Sequence, residues 1–141
     1  MPEPETSGYI VTELQEPESK KKIAAEYARF AKRILWLDED VVQGAFHMNT
    51  AWYLKPYRVE PEAHTHATDE IIGFFGSNPA DPYDLGGEIE IWLEDDQHII
   101  TRTAMVFVPA GMKHCPLVLR RVDRPIFHFT TVTGGQYDKN L

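Results

Sequence analysis

The sequence is poor in several features, and each shortage excludes a class of protein. Cys115 is the only cysteine in 141 residues, so the chain forms no intrachain disulfide and no cysteine-based zinc cluster. No apolar run is long enough to cross a bilayer as a helix. The first residues, Met1–Glu5, are acidic and contain proline, unlike the basic and then apolar start of a signal peptide. We therefore expect a cytoplasmic protein of one ordinary domain.

Positive charge is missing from the middle of the chain. The formal net charge is −8, and the stretch Val59–Thr101 holds eleven Asp and Glu residues but no Lys or Arg. The basic residues concentrate instead in Lys20–Arg33 and Arg102–Arg124. Because an acidic middle repels phosphate backbones, we expect no nucleic-acid partner. The acidity is typical of a solvated surface, although a few of these carboxylates can serve a cation site.

The sequence does contain a succession of short alternating segments separated by turns. The clearest is Glu88–Glu94, in which Ile89, Ile91 and Leu93 share one face and the glutamates share the other. Similar strand signals occupy Arg33–Leu37, Phe46–Leu54, Ile71–Gly76, Gln97–Thr101, Ala104–Val108, Pro116–Arg121 and Pro125–Thr133. This pattern of roughly eight or nine strands predicts an all-β sandwich or barrel.

We divide the chain into a barrel and its flanking segments. A helix is predicted from Glu18 to about Ala31, with Ser19 as its cap, because apolar residues recur there at helical spacing. The long segment Ser77–Gly87 is rich in turn residues and predicts a lid, an interface or a wandering surface loop. The predicted division is a disordered tail over 1–8, an extension over 9–44 whose helix and strand pack on the barrel, the barrel over 45–133 and a second tail over 134–141.

Two histidines and a glutamate lie close together in the stretch His64-Thr65-His66-Ala67-Thr68-Asp69-Glu70. In an extended strand the side chains alternate between faces, so His64, His66 and Glu70 would share one face. Three such donors on one face indicate a metal site or an acid–base cluster. A surface strand with incidental histidines explains the same residues equally well, because short motifs match by chance.

A third histidine follows a turn signal further along the chain. Pro109-Ala110-Gly111 predicts a sharp bend that delivers His114 to the start of a strand, because proline cannot donate to a sheet ladder and glycine permits a tight turn. The pattern His64-x-His66-x3-Glu70 followed by Pro109-x-Gly111-x2-His114 resembles the two signature motifs of the cupin superfamily. The resemblance implies a double-stranded β-helix, or jelly-roll barrel, with one divalent ion held inside by His64, His66, Glu70 and His114.

Several turn positions depart from the family pattern. Arg58, Ser77 and Thr103 stand where the family usually has glycine, and Val118 stands where it usually has asparagine. These positions shape turns and hairpins, so the implied ligand set is intact. Three imidazoles and one carboxylate suit Fe, Mn, Ni, Zn or Cu, and an octahedral ion would keep two positions open for water, O₂ or a bidentate substrate. A structural metal and an empty barrel are the alternatives.

Four other residues carry weaker signals. His128, between two phenylalanines on the last strand, is either an acid–base group near the ion or a hydrogen-bonded core or outward histidine. Cys115 directly follows His114, and a regular strand would point it away from the site, where it would serve packing. His47 and His98 are predicted at the surface or at strand ends.

The resemblance implies a small metalloenzyme that acts on an oxygenated metabolite, either as a dioxygenase or as an isomerase or lyase. The substrate would chelate the ion, and Glu70 or His128 would move protons. Tyr53, Tyr57 and Arg58 are candidates to line the barrel mouth, where Arg58 would anchor a substrate carboxylate or face solvent. A non-catalytic module that binds or senses a small molecule or metal is the alternative. We also expect a homodimer, paired through the aromatic segment from Trp36 to Tyr53.

Overall fold

The computed structural model describes residues 4–16, 21, 23–60 and 62–133, and within this part the chain forms nine strands. In chain order the strands are β1 (Ala31–Leu37), β2 (His47–Tyr53), β3 (Tyr57–Glu60), β4 (Glu70–Phe75), β5 (Asp84–Leu93), β6 (Asp96–Arg102), β7 (Ala104–Val108), β8 (His114–Val122) and β9 (Ile126–Val132). They build two antiparallel sheets, one of five strands in the order β1-β2-β9-β4-β7 and one of four in the order β3-β8-β5-β6. Among the described residues, no helix has the length and apolarity needed to cross a membrane.

The chain passes repeatedly from one sheet to the other. Strands β2, β4, β7 and β9 belong to the five-stranded sheet, and strands β3, β5 and β8, which lie between them in the sequence, belong to the four-stranded sheet. Only the neighbours β1 and β2, and β5 and β6, pair as hairpins within one sheet. Crossing back and forth between two face-to-face sheets is the jelly-roll arrangement. The predicted all-β jelly roll is therefore confirmed.

Period-two alternation places the core between the two sheets. Along β2 every second residue is buried, and Ile89 and Ile91 of β5 are buried while the glutamates beside them are half-exposed, as predicted. The residues that fill the interior come from both sheets and are Tyr53, Ile72, Phe74, Leu85, Ile89, Ile91, Val108, Leu117, Leu119 and Ile126. Strand β3, which lies between two prolines, was not predicted; at four residues it is too short to show a clear alternation.

The segment before the barrel differs from its prediction. A 3-10 helix with no buried residue spans Glu5–Tyr9, where a disordered tail was predicted. Among the described residues the helix α1 spans Ala24–Tyr27, and Ala31 already begins β1, so the predicted end of the helix at Ala31 was wrong, whereas its predicted start at position 18 lies outside the described residues. Phe30 explains the early end, because its side chain is buried and stacks on the ring of Tyr57. The predicted cap at position 19 and the predicted tail over 134–141 lie outside the described residues.

The loop between β4 and β5 is shorter than the predicted Ser77–Gly87, because β5 begins at Asp84. At Gly76 the backbone of Asp84 approaches so closely that a Cβ atom would overlap its carbonyl oxygen, which requires glycine there. Thr103 ties this loop to the sheet: its Oγ1 accepts a hydrogen bond from the Gly76 amide at 3.0 Å and donates one to the Pro82 carbonyl at 2.6 Å. The threonine that departs from the family pattern thus stabilises the loop through its side chain.

Candidate metal centre

The two motifs meet in space and are fastened together by hydrogen bonds. His64 and His114 form an isolated antiparallel bridge in which each backbone amide donates to the carbonyl of the other at 3.0 Å. The Gly111 amide donates to the His66 carbonyl at 3.0 Å, and the Ala110 amide donates to Oδ1 of Asp69 at 2.8 Å. Segments that are distant in the sequence therefore form one rigid corner of the barrel.

The path of the first motif differs from the predicted single strand. His64 lies in the bridge, the chain bends at Ala67 and Thr68, and β4 begins at Glu70. This bend, rather than the alternation of a single strand, brings the side chains of His64, His66 and Glu70 together. The ring centroids of His64 and His66 lie 4.9 Å apart, and that of His114 lies 4.3 Å from the first and 4.9 Å from the second.

The predicted turn before His114 is present. The Met112 amide donates to the Pro109 carbonyl at 3.1 Å, and Gly111 has φ +83°, a left-handed conformation that glycine adopts without steric cost. The chain then enters β8 at His114, whose side chain is buried. The turn therefore places the third imidazole beside the first two.

Glu70 completes the group from the start of β4. Its Oε1 atom lies 3.1 Å from Nε2 of His114 and 3.5 Å from Nε2 of His66, and its side chain is 3% exposed. Its Oε2 atom accepts a hydrogen bond of 2.5 Å from Oγ1 of Thr130. Burial alone would raise the pKa of Glu70, but the hydrogen bonds with His114 and Thr130 hold it below its usual range. Glu70 is therefore a carboxylate at neutral pH.

Backbone carbonyls orient two of the imidazoles. Nδ1–H of His64 donates to the Glu62 carbonyl at 3.2 Å, and Nδ1–H of His114 donates to the Met112 carbonyl at 3.1 Å. Each bond turns Nε2 of its ring toward the cluster, as in metal-binding histidines. Burial, with the nearby His114, lowers the pKa of His64 to about 4, so this imidazole is neutral at neutral pH. Glu70 and the Met112 carbonyl raise the pKa of His114 against the effect of burial.

The donor set fits a metal ion. Nε2 of His64 is buried and has no hydrogen-bond partner among the described residues, as expected of an atom whose partner is an ion. The ligand atoms of His66, Glu70 and His114 lie within 4.8 Å of one another, and those of His64, His114 and Cys115 do so as well. His66, Glu70 and His114 thus form one buried triad that can bind a metal, and the half-buried His64 lies beside it through its contact with His114.

Cys115 was predicted to point away from the site, and this was wrong. Its Sγ atom lies within 4.8 Å of ring nitrogens of His64 and His114, and its side chain lines the cavity beside them. The reason is local: Cys115 has φ +75°, which breaks the alternation of β8 at its second residue. Burial raises the pKa of its thiol well above the usual range. Pro116, next in the chain, was the sequence signal for an irregular strand.

A cavity of about 360 Å³ lies beside this group, and the four further predicted site residues line it. Tyr53 is 1% exposed and forms the inner wall rather than the mouth. Tyr57 is half-buried, and Arg58 is exposed, which agrees with the solvent-facing alternative. His128 is buried, and its Nδ1–H donates to the Gly73 carbonyl at 3.2 Å.

His128 is the hydrogen-bonded core histidine that was one of its two alternatives, although it also lines the cavity. Its ring stacks on Tyr53, with centroids 4.4 Å apart and planes inclined by 13°. Burial lowers the pKa of His128 to about 4, so the ring is neutral at neutral pH. His98 is exposed, as predicted. His47 begins β2, which agrees with the strand-end alternative; it is 1% exposed and packs on the Trp36 ring.

Arg33, Asn49 and Thr130 are among the polar residues of the cavity wall that were not predicted from the sequence. Thr130 and Asn49 are register partners on β9 and β2. Thr130 shares the face of His128, two residues earlier on the same strand, and this parity was the available signal. Nothing in the sequence around Arg33 distinguishes it from a surface arginine.

Comparisons with known proteins concern the fold. No protein-family model and no curated protein sequence matches this chain. Among solved structures, KdgF from Halomonas sp. is 14% identical with a TM-score of 0.46, over 79% of this chain and 82% of that one. An RmlC-like cupin from Shewanella frigidimarina NCIMB 400 is 17% identical with a TM-score of 0.43, over 66% and 68% of the two chains.

A further similar structure is an enzyme, the hydroxypropylphosphonic acid epoxidase from S. wedmorenis, which is 13% identical with a TM-score of 0.43, over 62% of this chain and 42% of that one. The strands of the present chain cross between two sheets, and both histidine motifs meet at one inner corner of the barrel. The chain therefore has the jelly-roll fold that its sequence predicts.

Proposed function

We propose that this chain is a small metal-dependent enzyme that acts on a small oxygenated metabolite, as a dioxygenase or as an isomerase or lyase. The observation that carries the proposal is the convergence of three imidazoles and one carboxylate, of which His64, Glu70 and His114 line a cavity of about 360 Å³. His64, His66, Glu70 and His114 would hold one divalent ion per chain, and this donor set suits Fe, Mn, Ni, Zn or Cu. A bound ion would supply Lewis acidity to the oxygens of a chelated substrate.

The residues of the chain supply position and proton transfer. Thr130 fixes Oε2 of Glu70, so that Oε1 faces the imidazoles and would be the oxygen that holds the ion. His128 is neutral, and with Nδ1–H bound to the Gly73 carbonyl it offers Nε2 as a hydrogen-bond acceptor. Apolar walls formed by Phe30, Ile72 and Leu117 exclude water from a bound metabolite. We place this activity in the cytoplasm, as the sequence predicts.

Metal analysis tests the proposal. Chain purified without added ions, and chain stripped with a chelator and reconstituted, are assayed for Fe, Mn, Ni, Zn and Cu. We expect about one equivalent of ion per chain, and a rise of Tm when the ion is added, because a ligand that binds only the folded state stabilises it. Stoichiometric Fe favours dioxygenase chemistry, whereas Ni, Zn or Mn favours isomerase or lyase chemistry.

Two histidine variants form a matched pair in the same experiment. His66→Ala removes a buried ligand and should abolish ion binding and the rise of Tm. His98→Ala removes an exposed histidine of β6 and should retain both. Failure of the stripped chain to bind any of the five ions would overturn the proposal. Metal binding without turnover of any oxygenated metabolite would support the non-catalytic sensing module instead.

A further inference from the structure

A buried arginine lies in the cavity wall at a distance from the metal ligands. Arg33 belongs to β1, the edge strand of the five-stranded sheet, and its side chain is 9% exposed. The pairing of β1 with β2 shifts its register between Arg33 and Leu35. Because this bulge adds a residue, Arg33 and Trp36, which lie three apart, both line the cavity. The local irregularity of β1 thus turns a cationic side chain inward.

Two aromatic rings and one carboxylate contact the guanidinium group of Arg33. It lies over the Tyr27 ring, 4.2 Å from the centroid, and 5.2 Å from the centroid of the Trp36 ring. Its Nη1 atom contacts Oε2 of Glu16 at 2.9 Å. Nε and Nη2 share the opposite edge, the one that binds carboxylates in a bidentate manner. Nε is buried and has no hydrogen-bond partner among the described residues.

Two further polar side chains, those of Asn49 and Tyr27, line the same cavity as Arg33. Asn49 is 5% exposed and is the register partner of Trp36, and its Oδ1 atom is buried without a hydrogen-bond partner among the described residues. The hydroxyl of Tyr27 stays protonated, because burial raises its pKa. The Nδ2–H groups of Asn49 and the hydroxyl of Tyr27 are hydrogen-bond donors, which an oxyanion beside the arginine requires.

This polar group and the metal ligands lie at two ends of one wall. The wall follows the strand order β1-β2-β9-β4, and these strands contribute, in that order, Arg33, Asn49, Thr130 and Glu70. Adjacent strands are about 4.8 Å apart, so the backbones of the end strands are separated by about 14 Å. Arg33 pairs with Ala51 and Glu70 with Val132, so the two residues are also offset along the strands, and both line the cavity of about 360 Å³.

We propose that Arg33, assisted by Asn49 and Tyr27, anchors a carboxylate at the end of the substrate remote from the metal ligands. The inference rests on the proposed function and deepens it, because it assigns the substrate to the class of elongated anionic metabolites, such as oxo-dicarboxylates. Arg33 is here a specificity-determining residue. It differs from Arg58, the predicted anchor, which also lines the cavity but is exposed.

The charged residues that line the cavity restrict the anions that can bind at Arg33. Carboxylates of Glu26, Glu60 and Glu70 also line it, so an anionic group is accepted only where a cation offsets them. Glu16 already contacts one edge of Arg33, which leaves a single edge for a ligand. The site therefore selects one remote carboxylate in a fixed orientation, rather than attracting anions in general.

Matched ligand pairs test the anchor. The zinc-loaded chain is titrated by calorimetry with 2-oxoglutarate and 2-oxoadipate, and with 2-oxopentanoate and 2-oxohexanoate, which lack only the remote carboxylate. We expect the better dicarboxylate to bind at least tenfold more tightly than its monocarboxylate. Arg33→Gln should reduce this preference to less than about twofold, and Arg33→Lys should leave an intermediate preference, because lysine keeps the charge but lacks the bidentate edge.

Control variants separate the anchor from general effects. Arg102→Gln removes an exposed arginine that also lies over a tyrosine ring, that of Tyr83, and should keep the full preference. Glu16→Gln removes the competing carboxylate without touching the guanidinium, and should keep or increase the preference. This variant and the native ligand pairs remain decisive if Arg33→Gln fails to fold in a thermal melt.

The outcomes distinguish the two proposals. Zinc binding without a preference for dicarboxylates, or a preference that survives Arg33→Gln, would overturn the anchor and leave the metal site standing. If the chain binds none of Fe, Mn, Ni, Zn and Cu, the proposed function is overturned. Glutarate and pentanoate titrated into the metal-free chain would then test Arg33 alone, and equal affinity of the two acids would overturn the anchor as well.

Discussion

Oγ1 of Thr130 donates a hydrogen bond of 2.5 Å to Oε2 of Glu70, from β9 to the neighbouring strand β4. The bond satisfies one oxygen of a carboxylate that is 3% exposed and leaves Oε1 toward the imidazoles of His66 and His114. Thr130 thereby orients a predicted metal ligand without being a ligand itself. Residues in this role are typically worth a factor of about 10–100 in metal affinity.

Thr130→Val should therefore weaken ion binding about 10–100-fold while the barrel stays folded, because valine keeps the shape and loses the donor. The affinity is measured by competition with a chelator of known strength. Thr131→Val is the matched control, since Oγ1 of Thr131 donates instead to the His47 carbonyl at 2.6 Å. Equal ion affinity of the two variants would contradict the orienting role of Thr130.

The stability of the metal-free chain should depend on pH through His128. Burial lowers the pKa of this imidazole to about 4 in the folded state, against about 6.5 when exposed. Between these values the unfolded chain binds a proton that the folded chain does not. The neutral His128 therefore contributes fully to the free energy of unfolding above about pH 6.5. As the pH falls toward 4, that free energy decreases by on the order of 3 kcal/mol.

Denaturant unfolding at pH 7, 5.5 and 4 measures this dependence. His128→Gln keeps a donor for the Gly73 carbonyl but does not titrate, so its free energy of unfolding should fall less steeply with decreasing pH. His98→Gln, at an exposed position, should follow the native chain. Parallel curves for the native chain and His128→Gln would show that the buried imidazole is not the titrating group.

Phe30 joins the segment before the barrel to the cavity wall. Its ring is 3% exposed and stacks on Tyr57, with centroids 4.5 Å apart and planes inclined by 11°. Phe30→Ala should lower the free energy of unfolding by about 3–5 kcal/mol, the usual cost of truncating a buried phenylalanine. Phe107→Ala, at a side chain that is 58% exposed, should change it by less than about 0.5 kcal/mol. Comparable losses from both variants in urea unfolding would contradict the packing role.

A homodimer remains a prediction, and the structure narrows the surface available to it. Trp36 and Tyr53, the ends of the predicted pairing segment, are buried, whereas Phe46 within it is 60% exposed. Sedimentation velocity at micromolar concentration should show a dimer for the native chain and a monomer for Phe46→Asp. Phe107→Asp, on β7 at the opposite edge of the same sheet, should remain dimeric. A monomeric native chain would contradict the prediction itself.

Much of the fold could be predicted from the sequence, because buried and exposed residues alternate regularly along the strands. The face of β5 that carries Ile89 and Ile91 is buried as expected, and the turn at Pro109–Gly111 brings His114 to the site. Parity reasoning is sound wherever the backbone stays extended, because Cβ atoms then alternate strictly. The predicted ligand set came from motif resemblance, and the folded chain brings those four side chains together.

The side-chain directions expected from alternation were wrong where the backbone departs from a regular strand. A left-handed φ at Cys115 turns its thiol toward the imidazoles, and a register shift in β1 turns Arg33 into the cavity. The bend after His66 replaces the strand that parity assumed. Each departure depends on pairing with a distant segment, so a local pattern in the sequence carries little trace of it.

The backbone bridge between His64 and His114 has a consequence for the order of assembly. During synthesis His64, His66 and Glu70 leave the ribosome before His114, from which they are distant in the sequence. The corner that contains all four residues is complete only when β8 has paired with the earlier segment. Slow hydrogen exchange at the two bridging amides would report when that pairing is complete.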